Sequence, residues 1–150
     1  MFKKILVPLD GSPLDESILP QVTELARVHS AELVLLRVAL AHGFPGADPT
    51  EAQVEAVREA ERYLEEVEQD LRGKGLRVST AVRYGHAAAE ILDHAEFSGV
   101  DITAMSTHGR TGVSRWVLGS VAEEVLRGST HPLLLVRAAG AHPERPEQRR

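Results

Sequence analysis

Short, continuous runs of apolar residues alternate along the chain with longer segments whose apolar residues recur every three or four positions. The runs lie at residues 5–9, 33–38, 78–82, 101–105 and 132–136. They have the length of strands, and continuous hydrophobicity is typical of strands that are covered on both faces. The periodic segments predict helices that end near residues 29, 73, 97 and 127. The order βαβαβαβαβ predicts an open parallel sheet with helices on both faces.

Local features refine this pattern. Pro13 suits the first turn of a helix, whereas Pro20 lies inside the first periodic segment and predicts either a kink or a later start of the regular helix. The run 78–82 alternates in part, which favours a strand near a sheet edge. Residues 138–150 are rich in proline and charge, so we predict a disordered tail there and a single folded domain over residues 1–137.

The composition restricts the classes of protein to which this chain can belong. The 150 residues carry a formal net charge of −5, and no basic face that would bind nucleic acid or an anionic membrane is expected. The first apolar run is too short for a signal peptide or a membrane span, so we expect a cytoplasmic protein. Cysteine is absent, which excludes disulfides and thiolate metal sites.

The segment between the fourth strand and the last helix has small residues at both ends. Ser106 follows Met105 at the strand end, Gly109 comes three residues later, and Gly119-Ser120 opens the helix. Glycine lets a backbone approach an anion closely, and a helix N-terminus presents unpaired N–H groups. The spacing matches neither a P-loop nor a dinucleotide fingerprint. It permits a phosphate site without naming a ligand, and the same residues also suit an ordinary turn and cap.

Three parts of the chain are expected to meet beside this segment. In an open parallel sheet, ligands bind beyond the carboxyl ends of the strands, where neighbouring connections leave on opposite faces. If the first and fourth strands are neighbours, the corner Pro8-Leu9-Asp10 faces the loop 106–120, and Val38 at the end of the second strand lies beside both. The sequence therefore predicts one crevice bounded by these parts.

Several further motifs lie in the predicted strand, turn and helix contexts. They are Ile5-Leu6-Val7-Pro8-Leu9-Asp10-Gly11-Ser12, Gly85-His86-Ala87-Ala88-Ala89-Glu90-Ile91, Asp101, Ser106-Thr107-His108-Gly109-Arg110, Gly119-Ser120-Val121-Ala122 and Pro132-Leu133-Leu134-Leu135-Val136. In these motifs the chain resembles the universal stress protein family, over residues 2–137. The resemblance implies a Rossmann-like, five-stranded parallel sheet with strand order 3-2-1-4-5.

The nucleotide-binding branch of this family has the pattern G-x-x-G, nine residues, then G-S/T, and this chain departs from it at one position. Gly109 and Gly119-Ser120 match, whereas Ser106 replaces the first glycine. Serine restricts φ and adds a hydroxymethyl group, which either hinders close packing against a ribose or hydrogen-bonds it. The resemblance implies ATP, with Mg²⁺, as the ligand.

The resemblance also implies a role for each binding residue. Asp10 and Val38 would contact the adenine end, and Pro8 and Leu9 would line the ribose side. The phosphates would be held by Gly109, Arg110, Gly119, Ser120 and Val121, and the binding set is completed by Met105, Ser106 and His108. Structural alternatives remain, because Asp10 also suits a turn, Val38 suits the core, and His108 has no second ligand at metal-binding spacing.

Two hypotheses about function follow. In the first, this is a cytoplasmic stress-response protein that binds ATP and acts as a nucleotide-dependent sensor or regulator. In the second, it is a homodimeric scaffold that binds no nucleotide. Members of the family pair through their last strand, here Leu133–Val136, so the resemblance implies a homodimer under either hypothesis. Neither a catalytic base nor a Walker lysine is recognisable near the loop, so any enzymatic activity would amount to slow ATP hydrolysis.

Overall fold

The computed structural model describes residues 1–40, 45–46, 48–107 and 118–137. Its elements are β1 (Lys4–Pro8), α1 (Pro13–Glu16), α2 (Leu19–His29), β2 (Glu32–Ala39), α3 (Pro49–Gly73), β3 (Arg77–Tyr84), α4 (Ala87–Ser98), β4 (Ile102–Ser106), α5 (Ser120–Gly128) and β5 (Leu133–Val136). All strand pairs are parallel, and the order is β3-β2-β1-β4-β5. The predicted sheet and strand order are confirmed, whereas the predicted disordered tail lies outside the described residues.

The first predicted helix is divided into two. α1 ends at Glu16, and α2 begins at Leu19 with Pro20 in its first turn. There the missing N–H of proline costs nothing, whereas a continuous helix would press the Pro20 ring against the carbonyl of Glu16. The later start of the regular helix that Pro20 predicts is confirmed, and α1 is a separate short helix between β1 and α2.

Each central strand contributes side chains to two separate cores. Along β2, Leu33 and Leu35 pack with α2 and α3 on one face of the sheet. Val34 and Leu36 pack on the other face with residues of α4 and α5. Burial of one such side chain contributes about 1.5–3 kcal/mol. The continuous apolar runs therefore reflect strands covered on both faces, as predicted.

The two edge strands differ from the central ones in exposure. β3 mixes exposed and buried positions, which confirms the edge location predicted from its partial alternation. β5 is short, and its four residues are all partly buried. Within the described ranges, no helix combines the length and apolar character needed to cross a membrane.

Asp101 joins the start of β4 to the start of β1. Its Oδ2 accepts hydrogen bonds from the backbone N–H groups of Lys3 at 2.7 Å and Lys4 at 2.9 Å. These two hydrogen bonds lower the pKa of the Asp101 carboxyl below its ordinary value, and the bond from Lys4 has the larger effect. The carboxylate therefore stabilises the edge of the sheet opposite to the predicted crevice.

This arrangement predicts a loss of stability in acid. Because the pKa of Asp101 is lower in the folded chain than in the unfolded chain, its contribution is present above the unfolded pKa and disappears as the pH falls through the folded one. The variant Asp101→Asn keeps an acceptor but has no charge to lose. We expect its free energy of unfolding, measured in urea between pH 2.5 and 6 (roughly the range over which carboxylates titrate), to depend less on pH than that of the wild type. Identical slopes would contradict this role.

Candidate functional site

A cavity of about 260 Å³ opens at the carboxyl ends of β1, β2 and β4, beside α4 and α5. It is lined by Pro8, Leu9, Asp10, Asp15, Leu36, Val38, Ala87, Ile91, Met105, Ser106, Thr107, Gly119, Ser120, Val121 and Ala122. β1 pairs with β2 on one side and with β4 on the other. The helices that follow β1 and β4 pack on opposite faces of the sheet. The cavity therefore lies at the topological switch point, where open α/β sheets bind ligands.

Most of the residues that the sequence predicts for binding line this one cavity. They are Pro8, Leu9, Asp10, Val38, Met105, Ser106, Gly119, Ser120 and Val121. The other members of the set, His108, Gly109 and Arg110, lie outside the described residues. The three parts of the chain that were expected to meet do so.

The walls of the cavity near the sheet are apolar. Leu36 is fully buried at its base, and Ile91 of α4 and Ala122 of α5 are also buried. Val38 is partly buried and packs against the same core. Such a surface suits a flat aromatic group, which gains free energy by leaving water and needs few polar partners to fix its orientation.

The corner after β1 is closed by a ring of three hydrogen bonds. The backbone N–H of Asp10 donates to Asp15 Oδ2 at 2.6 Å, that of Asp15 donates to Ser12 Oγ at 3.1 Å, and that of Ser12 donates to Asp10 Oδ1 at 2.8 Å. Gly11 adopts a φ of 85° within the ring, and a Cβ there would overlap the Arg37 guanidinium. Asp10 therefore stabilises its own turn, as the structural alternative predicts, while also lining the cavity.

Asp15 is a buried acid at this corner, with 7% of its surface exposed. Burial raises the pKa of its carboxyl to about 7, and the neighbouring charge of Asp10 acts in the same direction. The hydrogen bond from the Asp10 backbone opposes the increase, whereas a hydrogen bond between the two carboxyl groups adds to it. Two carboxyl groups can share a hydrogen bond only while one of them is protonated. The wall of the cavity thus carries an acid that titrates near neutral pH.

The start of α5 also contributes to the cavity lining. Its N-cap is Gly119, which has no side chain that could cap the helix, and the Gly119 N–H donates to the Thr107 carbonyl at 2.7 Å. Ser120 and Val121 of the first turn line the cavity. A helix N-terminus carries partial positive charge and favours an anion. The lining of the cavity therefore includes both a carboxyl pair and a helix N-terminus.

Ser106 is accommodated without backbone strain. It is the last residue of β4 and is 4% exposed. Among the described residues other than glycine, only Ser30 has a positive φ. Serine therefore adopts the backbone conformation of position 106 without a cost in φ. The other effect of replacing glycine is the volume that the hydroxymethyl group occupies at the cavity wall.

Several lining residues were not predicted from the sequence. They are Asp15, Leu36, Ala87, Ile91, Thr107 and Ala122. A signal for Asp15 exists, because Ser12-x-x-Asp15 has the spacing of a capping box. Ile91 and Ala122 have apolar helical positions like many others, and only the packing of α4 and α5 against the sheet brings them to the cavity.

Comparison with known proteins assigns the family. The model of the universal stress protein family matches residues 1–137. The chain belongs to the universal stress protein family. Universal stress protein YxiE of Bacillus subtilis is 32% identical over 148 residues, covering 91% of this chain and all of that protein. The solved structure of MJ0577, a universal stress protein of Methanocaldococcus jannaschii, has a TM-score of 0.78 and 32% identity, covering 93% of this chain and 99% of that one.

More distant universal stress protein structures share the fold. One, in complex with cAMP, has a TM-score of 0.61 at 18% identity and covers 92% of this chain and 98% of that one. Another, from Archaeoglobus fulgidus in complex with dAMP, has a TM-score of 0.65 at 19% identity and covers 89% and 97%. In the part of this chain that the structure describes, no group of three or more His, Asp or Glu side chains has an arrangement that could hold a metal ion.

The buried acid predicts an unusual dependence of stability on pH. Because the pKa of Asp15 is higher in the folded chain than the ordinary 3.8, stability decreases as the pH rises from about 4 to about 7. Asp15→Asn cannot ionise, and its amide oxygen can still accept from the Asp10 N–H. We expect this variant to be more stable than the wild type at pH 8, by an amount on the order of a few kcal/mol at most, and the difference to shrink towards pH 4.

Chemical denaturation at several pH values measures this difference. Asp93→Asn is a matched control, because Asp93 is exposed on α4, and its neutralisation should change stability little. A variant Asp15→Asn with the same pH profile as the wild type would show that the Asp15 carboxyl is not a buried acid.

Proposed function

We propose that this universal stress protein binds ATP, with Mg²⁺, in the cavity at the switch point and acts as a nucleotide-dependent regulator of a stress response. The observation that supports the proposal is the convergence of Asp10, Val38 and the Gly119-Ser120 helix start on one cavity. These parts are distant in the sequence. Gly119-Ser120 matches the last pair of the family's nucleotide motif, and the family resemblance implies that Asp10 and Val38 contact adenine. Two other proteins with this fold have solved structures in complex with cAMP and with dAMP, which agrees with an adenine nucleotide as the ligand.

The polarity of the cavity lining favours one orientation of such a ligand. The adenine would lie against the apolar wall of Leu36 and Val38, with its polar edge towards Asp10. Pro8 and Leu9 would line the ribose. The phosphates would then extend to the first turn of α5, where N–H groups and the helix dipole favour negative charge. Gly109 and Arg110 are proposed to complete this phosphate site, and phosphate oxygens would supply most ligands to Mg²⁺.

Binding, rather than catalysis, is the proposed activity. The ionisable residues among the described lining of the cavity are Asp10 and Asp15, and both belong to the part of the lining that is proposed to contact adenine. Phosphoryl transfer requires an oriented nucleophile and charge stabilisation beside the transferred group. The nucleotide would therefore act as a signal that favours one conformation of a protein located in the cytoplasm.

The proposed phosphate end is tested by placing negative charge on it. Gly119 has φ −57° and ψ 150°, a conformation open to any residue, so Gly119→Glu should fold. Its carboxylate would repel the phosphates, and we expect ATP affinity, measured by calorimetry with Mg²⁺, to fall at least about tenfold, equivalent to ~1.4 kcal/mol.

Thr130→Glu is the matched control for this variant. It adds the same charge at an exposed position beyond the other end of α5, and it should bind ATP like the wild type. Unchanged ATP affinity in Gly119→Glu would refute the phosphate placement. Absence of ATP binding by the wild type would refute the proposed function and favour the scaffold hypothesis.

A specific feature of β5 favours homodimer formation as a second function, compatible with the first. β5 is the last strand of the sheet, and its side chains are Leu133, Leu134, Leu135 and Val136, all apolar. An apolar edge strand invites pairing with another strand. We propose that two copies pair along Leu133–Val136, as the family resemblance implies.

This interface is tested through the backbone of the strand. The carbonyl groups of Pro132 and Val136 accept from the backbone N–H groups of Thr103 in β4 and of Thr107 directly after it. The alternating residues Leu133 and Leu135 therefore direct their backbone groups to the outer edge. Leu135→Pro removes an outward N–H while sparing the bonds to β4. We expect sedimentation to show a dimer for the wild type and a monomer for the variant, with circular dichroism reporting a folded chain in both. A folded, dimeric variant would contradict the proposed interface.

A further inference from the structure

The second acid of the cavity wall, Asp15, is not among the residues for which the family resemblance implies a role. It accepts the Asp10 backbone N–H at 2.6 Å, and its own N–H is held by Ser12 Oγ. It is nearly fully buried and lines the cavity beside Asp10. A ligand group that contacts Asp10 would therefore also lie close to Asp15.

The charged and titratable groups around Asp15 come from three directions. Asp10 precedes α1, and Glu16 follows Asp15 on the same helix. From α3, the Tyr63 hydroxyl donates to Glu16 Oε1 at 2.9 Å. Burial is the main cause that raises the pKa of Tyr63, and this hydrogen bond is the next, so Tyr63 stays protonated. From β2, Arg37 lies over the Tyr63 ring, 4.9 Å from its centroid. Within this set, burial and then the charge of Asp10 raise the pKa of the Asp15 carboxyl to about 7.

We propose that Asp15 is a positioning residue for the nucleotide: it fixes the Asp10 corner, and the cavity binds the adenine end of its ligand with uptake of one proton by the Asp10–Asp15 pair. This inference rests on the proposed function. In the protonated pair, one carboxyl donates to the other, so the corner is held by both a backbone and a side-chain bond. One acceptor oxygen of the pair remains negatively charged in this form.

Electrostatics determines whether ligand binding is coupled to the uptake or to the release of a proton. A base that covers the corner removes water from the two carboxyl groups, which disfavours the doubly charged form. The phosphates add negative charge in the same cavity and act in the same direction. Binding therefore favours the protonated pair, and above neutral pH the ligand must be accompanied by a proton. By linkage, affinity then falls as the pH rises, by up to about tenfold per pH unit.

Calorimetry of MgATP binding at a series of pH values tests this coupling. Repeating each titration in two buffers of different ionisation enthalpy gives the number of protons taken up. We expect the wild type to take up a fraction of a proton at pH 8, about one at most, and to lose affinity with rising pH. Asp15→Asn mimics the protonated carboxyl, so it should keep its low-pH affinity at pH 8 without that uptake. The proton equilibria of ATP itself are common to both proteins and cancel in the difference.

Two further variants separate positioning from general effects. Glu16→Gln removes the charge next to Asp15 on α1, outside the cavity lining, and keeps an acceptor for Tyr63. The Glu16 charge is the last of the causes that raise the pKa of Asp15, so this variant should retain most of the wild-type proton uptake. Asp15→Ala removes the acceptor for the Asp10 N–H and should bind ATP at least about tenfold more weakly than Asp15→Asn at every pH.

The outcomes distinguish this inference from the proposed function. Equal pH dependence and proton uptake in the wild type and Asp15→Asn, with ATP bound by both, would overturn the coupling alone. Equal affinity in Asp15→Ala and Asp15→Asn would overturn the positioning role. Failure of the wild type to bind ATP at any pH would overturn the proposed function and this inference with it.

Discussion

The ring of backbone-to-side-chain hydrogen bonds after β1 is the constraint on which the cavity depends. Asp10, Ser12 and Asp15 each donate a backbone N–H to the side chain of another member. These donors belong to a corner and to the first turn of α1, where no helical carbonyl is available to them. Because β1 pairs with both β2 and β4, fixing this corner fixes one wall against the ends of its two neighbours.

The same ring places an acid where it is energetically unfavourable. Asp15 satisfies a buried N–H, but burial and the charge of Asp10 penalise its ionised form and raise its pKa to about 7. A neutral acceptor would satisfy the N–H without that penalty. Acids with strongly perturbed pKa values are common at functional sites, because burial and like charges adjust the pKa of a group to its task there. Its location beside Asp10 in the cavity is consistent with a role beyond folding.

The predictable parts of this fold are those in which a local pattern has one structural solution. Continuous apolar runs such as Leu33–Leu36 require cover on both faces, and Pro20 cannot lie within a helix begun at Pro13. Asp10 and Gly119 were predicted from the rule that ligands bind at the switch point and from the small residues before the last helix, and the family resemblance added their roles. By contrast, Ile91 and Ala122 reach the cavity only because α4 and α5 pack together over the sheet. The burial of Asp15 likewise depends on the isolated helix α1, which no local periodicity indicates.

Ser106 illustrates how a departure from a motif can be interpreted in physical terms. Glycine is required where φ is positive or where a Cβ would meet another group. Position 106 is a buried strand residue paired with Val136, and its backbone has no positive φ. The first reason for glycine therefore does not apply, and the second depends only on how closely a ligand approaches the end of β4. Since the hydroxyl can also donate to or accept from a ribose, the substitution changes the contacts available at the wall and not the conformation of the chain.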